Sequence, residues 1–134
     1  MHQFDLKNRT AIITGGAQGF GLDIAKRFLN SGAKAIIWDI DEDELKKASK
    51  KLNNTNLSYS VVDVSNFNNV KKTVDEIAKS SNIDILINNA GITGSTASLW
   101  DYDVDEWNKI IQINLMGTFN CCKCVVPNMI KNNY

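Results

Sequence analysis

Four short apolar runs, TAIIT at 10–14, KAIIWD at 34–39, LSYSVV at 57–62 and IDILIN at 83–88, alternate along the chain with stretches of helical periodicity. Alternation of this kind folds into a parallel sheet joined by right-handed crossovers. Residues 20–30 place Ile24, Ala25, Phe28 and Leu29 at helical spacing. The stretch DEDELKKASKKL opens with acids, ends with lysines and keeps Leu45, Ala48 and Leu52 on one side, the pattern of a helix covering a sheet. Residues 67–80 repeat it with Val70, Val74, Ile77 and Ala78, after Ser65 or Asn66 as N-cap. One long helical region follows from about Val104 to Lys131, which Pro127, lacking an amide donor, is expected to kink or subdivide. No repeat, low-complexity tract or linker divides the 134 residues, so one α/β domain is expected.

The first apolar run leads into TGGAQGFG, at 14–21, and that loop opens the first helix. Strand, glycine loop and helix in this order form the setting of a dinucleotide-phosphate site. A diphosphate there meets helix N-terminal amides and the positive end of the helix dipole. Glycines permit the tight turn and the close approach, because a Cβ would take the phosphate's place. The spacing, however, is G-x-x-x-G-x-G at Gly15, Gly19 and Gly21, with Gly16 extra, and differs from the general G-x-G-x-x-G pattern. Asp39 ends the second run eighteen residues beyond Gly21, where an acid accepts from ribose hydroxyls and repels a 2′-phosphate. Neither Gln18 nor Ile40 supplies a cation to offset that phosphate, so NAD is expected over NADP. A helix N-cap is the competing role for Asp39, one that Asp41 fills at least as well.

The T-G-x-x-x-G-x-G spacing resembles the short-chain dehydrogenase/reductase family, and further positions match in order. The resemblance implies an incomplete Rossmann-type doubly wound parallel sheet of about four strands, and it assigns cofactor-binding roles to Thr14, Gly15, Gln18, Gly19, Phe20 and Gly21. It also implies that Asp63 accepts from the adenine amino group while the Val64 amide completes ring recognition. Asn88, Asn89, Ala90 and Gly91 match the family's NNAG motif, which steadies the sheet and flanks the cofactor. Asn114, in IQINLMGTFN, matches the asparagine of the catalytic Asn, Ser, Tyr, Lys set. An asparagine there disturbs a helix locally and frees a main-chain carbonyl for a proton-passing water. Whole members commonly pair this long helix with its counterpart in another subunit, so a homodimer or homotetramer is implied for the full-length protein. The general character is similar to the 3-oxoacyl-carrier-protein reductase and sugar dehydrogenase branches.

The family's chemistry also needs a serine and Tyr-x-x-x-Lys, whose lysine draws the tyrosine pKa down from about 10. Neither element is found here. Tyr59 is followed at the fourth position by Asp63, Tyr102 by Glu106, and Tyr134 is the last residue. The chain therefore reads as the front of a longer NAD-dependent oxidoreductase acting on a secondary alcohol or ketone, inactive alone. Completing the second half takes about three further βα units of ~30 residues each. A stand-alone nucleotide-binding or interaction module without catalysis is the alternative. An extended-type epimerase is disfavoured, because that branch spaces its glycines T-G-x-x-G-x-x-G.

Composition narrows the partners. Fifteen basic and fifteen acidic residues leave no positive field for nucleic acid or an anionic membrane. No leader-like segment and no apolar run of about 18 residues occurs, so a cytoplasmic protein is expected. Cys121, Cys122 and Cys124 cluster in one helical segment, a poor disulfide framework and a packing set in a reducing compartment. No second Cys or His pair accompanies them, His2 stands alone in the tail, and no metal site is expected.

Overall fold

The computed structural model describes residues 4–134; His2 lies outside the described residues. In chain order the elements are β1 (Thr10–Thr14), α1 (Gly19–Asn30), β2 (Lys34–Asp39), α2 (Glu42–Leu52), β3 (Leu57–Val61), α3 (Phe67–Ala78), β4 (Ile85–Ile87), α4 (Val104–Ile111) and α5 (Gly117–Lys131). A single 3-10 turn, Leu99–Asp101, precedes α4, and a π-helical turn, Gln112–Met116, joins α4 to α5. All strand pairs are parallel, as the alternation predicted, and the strand order is β3-β2-β1-β4.

The two central strands send successive side chains to opposite faces. Ala11, Ile13, Ala35 and Ile37 pack with Ala25 and Leu29 of α1 and Leu45 and Ala48 of α2. On the other face Ile12 and Trp38 pack with Val70 and Val74 of α3 and with Cys121 and Val125 of α5. Both faces are covered, which is why TAIIT and KAIIWD read as continuous apolar runs.

Strand ends fall short of the apolar runs. β3 stops at Val61, although Val62 beyond it is buried. Only three residues of 83–88 pair as β4. Before it, Ile83 is fully buried, and the Asp84 carboxylate accepts the Thr10 amide at 2.8 Å and Arg9 Nη1 at 3.3 Å. The Asp84 amide also donates to the Thr10 carbonyl at 2.9 Å, so backbone pairing and the carboxylate together hold the entry to this strand.

Of the two N-cap candidates for α3, the structure selects Asn66, whose side chain accepts the Asn69 amide at 3.0 Å. The Ser65 hydroxyl and amide instead both donate to Asp63 Oδ1. The long helical region is subdivided, but not at Pro127. That proline lies inside α5, with buried Val125 before it and Asn128 after it, whose side chain accepts the Ile83 amide at 2.9 Å. These anchors carry the helix across the missing donor. The break comes at Gln112–Met116, around Asn114, where a side chain is drawn out of the helical ladder by a partner elsewhere.

Candidate active site

Thr14 ties the C-terminal ends of β1 and β4 together. Its hydroxyl accepts the amides of Asn89 at 3.1 Å and Ala90 at 2.9 Å and donates to the Ile87 carbonyl at 3.4 Å. Asn89 Nδ2 returns the contact, donating to the carbonyls of Thr14 at 3.0 Å and Gly15 at 3.1 Å. The glycine loop is thus laced to NNAG before any ligand arrives.

The three glycines are needed for different reasons. Gly15 and Gly19 hold left-handed φ values of +62° and +55°, where an L side chain is strained. A Cβ on Gly15 would lie 3.0 Å from Ala90 Cα, and one on Gly21 would drive into the Gly15 carbonyl. A Cβ on Gly19 would meet nothing within 4 Å. Gly15 and Gly21 therefore serve close packing of the loop, whereas the space beside Gly19 is open.

Helix starts sharpen this contrast. α2 and α4 begin like α3, with Asp41 and Asp103 as N-caps whose side chains accept the amides of Glu44 and Glu106, the third residue of each helix. At α1 the N-cap is Gln18, which makes no side-chain cap bond. The first amides of α1 are left facing the glycine turn without a side-chain acceptor, at the positive end of the helix dipole. An anion completes such a helix start.

A cleft of about 440 Å³ opens beside it. It brings together Gly15, Gln18, Asp39, Asp63, Val64, Asn89, Ala90 and Gly91 from the sequence-predicted set. Thr14 and Gly21 lie in its supporting lacework, while Phe20 is 83% exposed at the start of α1. Asn88 turns away from the cleft and donates to Cys122 Sγ at 3.4 Å. Ile40, Asp41, Val62, Ile92 and Ile113 also line the cleft. Of these, Ile92 follows Gly91 and Ile113 precedes Asn114, so adjacency to the motifs was their only signal in the sequence.

The lining carries three carboxylates, Asp39, Asp41 and Asp63, and no lysine or arginine among the described residues. Asp39 is held in place at β2's end: Oδ2 accepts the Ala17 amide at 3.3 Å and Oδ1 the Asp41 amide at 3.2 Å. Asn120, buried in α5, donates to the Val64 carbonyl at 2.9 Å and fixes the strand exit after Asp63.

Asn114 sits in the middle of the π turn. Its side chain grips one residue from both sides, accepting the Ile92 amide and donating to the Ile92 carbonyl, each at 2.9 Å. The Asn114 carbonyl accepts the Thr118 hydroxyl at 3.1 Å.

Tyr102 packs edge-on against Trp107, with ring centroids 5.6 Å apart, and its hydroxyl end abuts Gly94. Partial desolvation, reinforced by the Glu106 carboxylate, pushes its pKa up, away from the phenolate. Burial likewise pushes the Cys121 thiol up to about 12, the direction of an inert packing thiol. Among the described residues no group of three or more His, Cys, Asp or Glu is placed to hold a metal ion, and no helix is long and apolar enough to cross a membrane.

The short chain dehydrogenase family model matches residues 9–134, the glycine loop and the cleft included. This chain belongs to the short-chain dehydrogenase family. It is 39% identical over 127 residues to the 2-dehydro-3-deoxy-L-rhamnonate dehydrogenase (NAD(+)) of Sphingomonas sp. (strain SKA58), covering 94% of this chain and 50% of that protein. To the 3-oxoacyl-[acyl-carrier-protein] reductase of Chlamydia muridarum it is 38% identical over 130 residues, covering 94% of this chain and 52% of that one. Among solved structures, the 2-keto-3-deoxy-D-gluconate dehydrogenase from Streptococcus agalactiae superposes with a TM-score of 0.83 at 32% identity, over 98% of this chain and 50% of that one. An NADP complex of RhlG from Pseudomonas aeruginosa gives a TM-score of 0.87 at 30% identity, over 98% and 52%. The chain spans about half the length of the curated relatives it matches. Relatives named with NAD and with NADP both occur, so the cofactor preference rests on this chain's own residues.

Proposed function

We propose that these residues form the cofactor-binding portion of an NAD-dependent short-chain dehydrogenase/reductase that interconverts a secondary alcohol and a ketone. The observation that carries this reading is the uncapped start of α1 over the open space at Gly19, with Asp39 bonded to the glycine loop and lining the cleft beside it. A bound nicotinamide cofactor supplies the hydride donor or acceptor. The α1 amides and the Gly19 turn hold its diphosphate, and Asp39 takes the ribose hydroxyls. Asp63 and Val64 receive the adenine, and Ala90 to Ile92 flank the nicotinamide end. Three carboxylates with no compensating lysine or arginine repel a 2′-phosphate, which favours NAD over NADP.

Asn114 holds Ile92 at the mouth and keeps its main-chain carbonyl available to a water. No tyrosine here has a lysine at the fourth position, and Tyr102 is shifted away from the phenolate. Turnover therefore requires a serine and a Tyr-x-x-x-Lys outside these 134 residues, and the chain alone binds cofactor without catalysis. Substrates of the 3-oxoacyl thioester or sugar type are the choice supported by the named relatives, and the working form is a cytoplasmic homo-oligomer.

Backbone NMR with added NADH tests the reading. Amide shifts are expected at 18–21, 39–41, 63–64 and 89–92. Shifts confined to other surfaces, or none at saturating NADH, contradict it.

A further inference from the structure

The segment 91–98 leaves the cleft without regular structure, yet its backbone is held at three successive points. Asn114 grips Ile92 from both sides, the Tyr102 hydroxyl fills the space beside Gly94, and Glu106 Oε1 accepts both the amide and the hydroxyl of Ser95, each at 2.8 Å. All three anchors come from one stretch, 102–114, that includes α4 and the π turn. Asp103 and Glu106 have the spacing of a capping box, in which the acid normally turns back to its own N-cap amide. Asp103 performs its half, accepting the Glu106 amide at 2.8 Å. Glu106 instead directs its carboxylate to the loop.

We propose that Glu106 is a positioning residue for the site mouth: through Ser95 it sets the path of the segment leaving Ile92, and so the space left beside Ile92 for cofactor and substrate. This deepens the cofactor reading above and rests on it. An ionised acceptor taking two donors on one oxygen is stronger than a neutral contact, and the lever is short, because Ile92, three residues from Ser95, itself lines the cleft. Loop and helix lie eleven residues apart in sequence, so holding Ser95 against α4 costs little chain entropy.

Hydrogen exchange of the 134-residue chain and NADH titration, run together, test this assignment. Glu106→Ala is expected to speed exchange of the Ser95 amide about ten-fold while amides of α4 keep their protection, and to weaken NADH binding several-fold. Glu106→Gln, which retains the acceptor oxygen but not the charge, is expected to restore both in part. Ser95→Ala, which removes the hydroxyl and keeps the amide, is expected to give a smaller effect that is non-additive with Glu106→Ala. Unchanged loop exchange in Glu106→Ala overturns the proposal. So does equal loss of protection in α4, which would make Glu106 a helix-start residue only. If the loop responds as expected but the unaltered chain shows no saturable NADH binding, the clamp stands and the cofactor reading falls.

Discussion

Gly19 and Gly21 lie two residues apart in one loop, but a methyl group added to each meets different surroundings. At Gly21 it strikes the Gly15 carbonyl; at Gly19 it enters open space at a φ of +55°. Gly21→Ala is therefore expected to destabilise the fold by about 1–3 kcal/mol, read by urea denaturation. Gly19→Ala is expected to cost about 1–2 kcal/mol of backbone strain and to weaken NADH binding far more than that strain explains. At Asp39 the carboxylate has both a charge role and a hydrogen-bond role, since it accepts the amides of Ala17 and Asp41. Asp39→Asn retains an acceptor and removes the charge, so the NADH-over-NADPH preference should fall by about ten-fold while the loop stays folded. Competitive titration of the two cofactors reads that ratio. The glycine positions were legible in the sequence because the motif places them. Which glycine packs and which one opens was not, because Gly21 meets the Gly15 carbonyl and the Asn89 side chain only once the loop has folded against the NNAG segment.

Four helices begin after a loop, and one of them lacks a side-chain cap. Asp41, Asn66 and Asp103 cap α2, α3 and α4, while Gln18 leaves the amides of α1 exposed to a ligand. Gln18→Asp is expected to raise stability by about 0.5–1 kcal/mol, by capping α1 and placing a negative charge at its start. The same change should weaken NADH binding more than ten-fold, since the new carboxylate competes with the diphosphate for those amides. Thermal denaturation and titration of one variant show both effects. The caps of α2 and α4 follow from short-range acid spacing and could be read directly. Proline chemistry pointed to Pro127 for the break in the long helix, whereas the local disturbance expected at Asn114 falls where the π turn lies. Asn114 creates it by bonding Ile92, 22 residues back, a partner that no helical periodicity discloses. Strand ends were overestimated for a related reason: Ile83 and Val62 are apolar because they are buried, although neither lies within a strand.

Across the whole molecule, the sheet has two unlike edges and two separate cores. The parallel order and the covered faces were legible from the alternation of runs, because a doubly covered strand has few sequence solutions. β4 stands at one edge with its three residues only half-buried, and Leu115, Phe119 and Ile130 are exposed on the neighbouring helical layer. The core on the α3 and α5 face includes Cys121, fully buried and with its thiol pushed up to about 12 from an ordinary value of 9.0. The folded state binds that proton more tightly than the unfolded chain does, so the stability it provides is complete below pH 9.0 and is lost as pH rises toward 12. Urea midpoints at pH 8 and pH 10 should diverge less in Cys121→Ala than in the unaltered chain, which separates this thiol from the lysines and tyrosines that titrate in the same range. The central claim, that the cleft is an NAD site built from the α1 start, Gly19 and Asp39, is tested most directly by calorimetric titration of the 134-residue chain with NADH and with NADPH. Saturable one-to-one binding of NADH, at least about ten-fold tighter than NADPH, is the predicted result. No saturable binding, or tighter binding of NADPH, would contradict it.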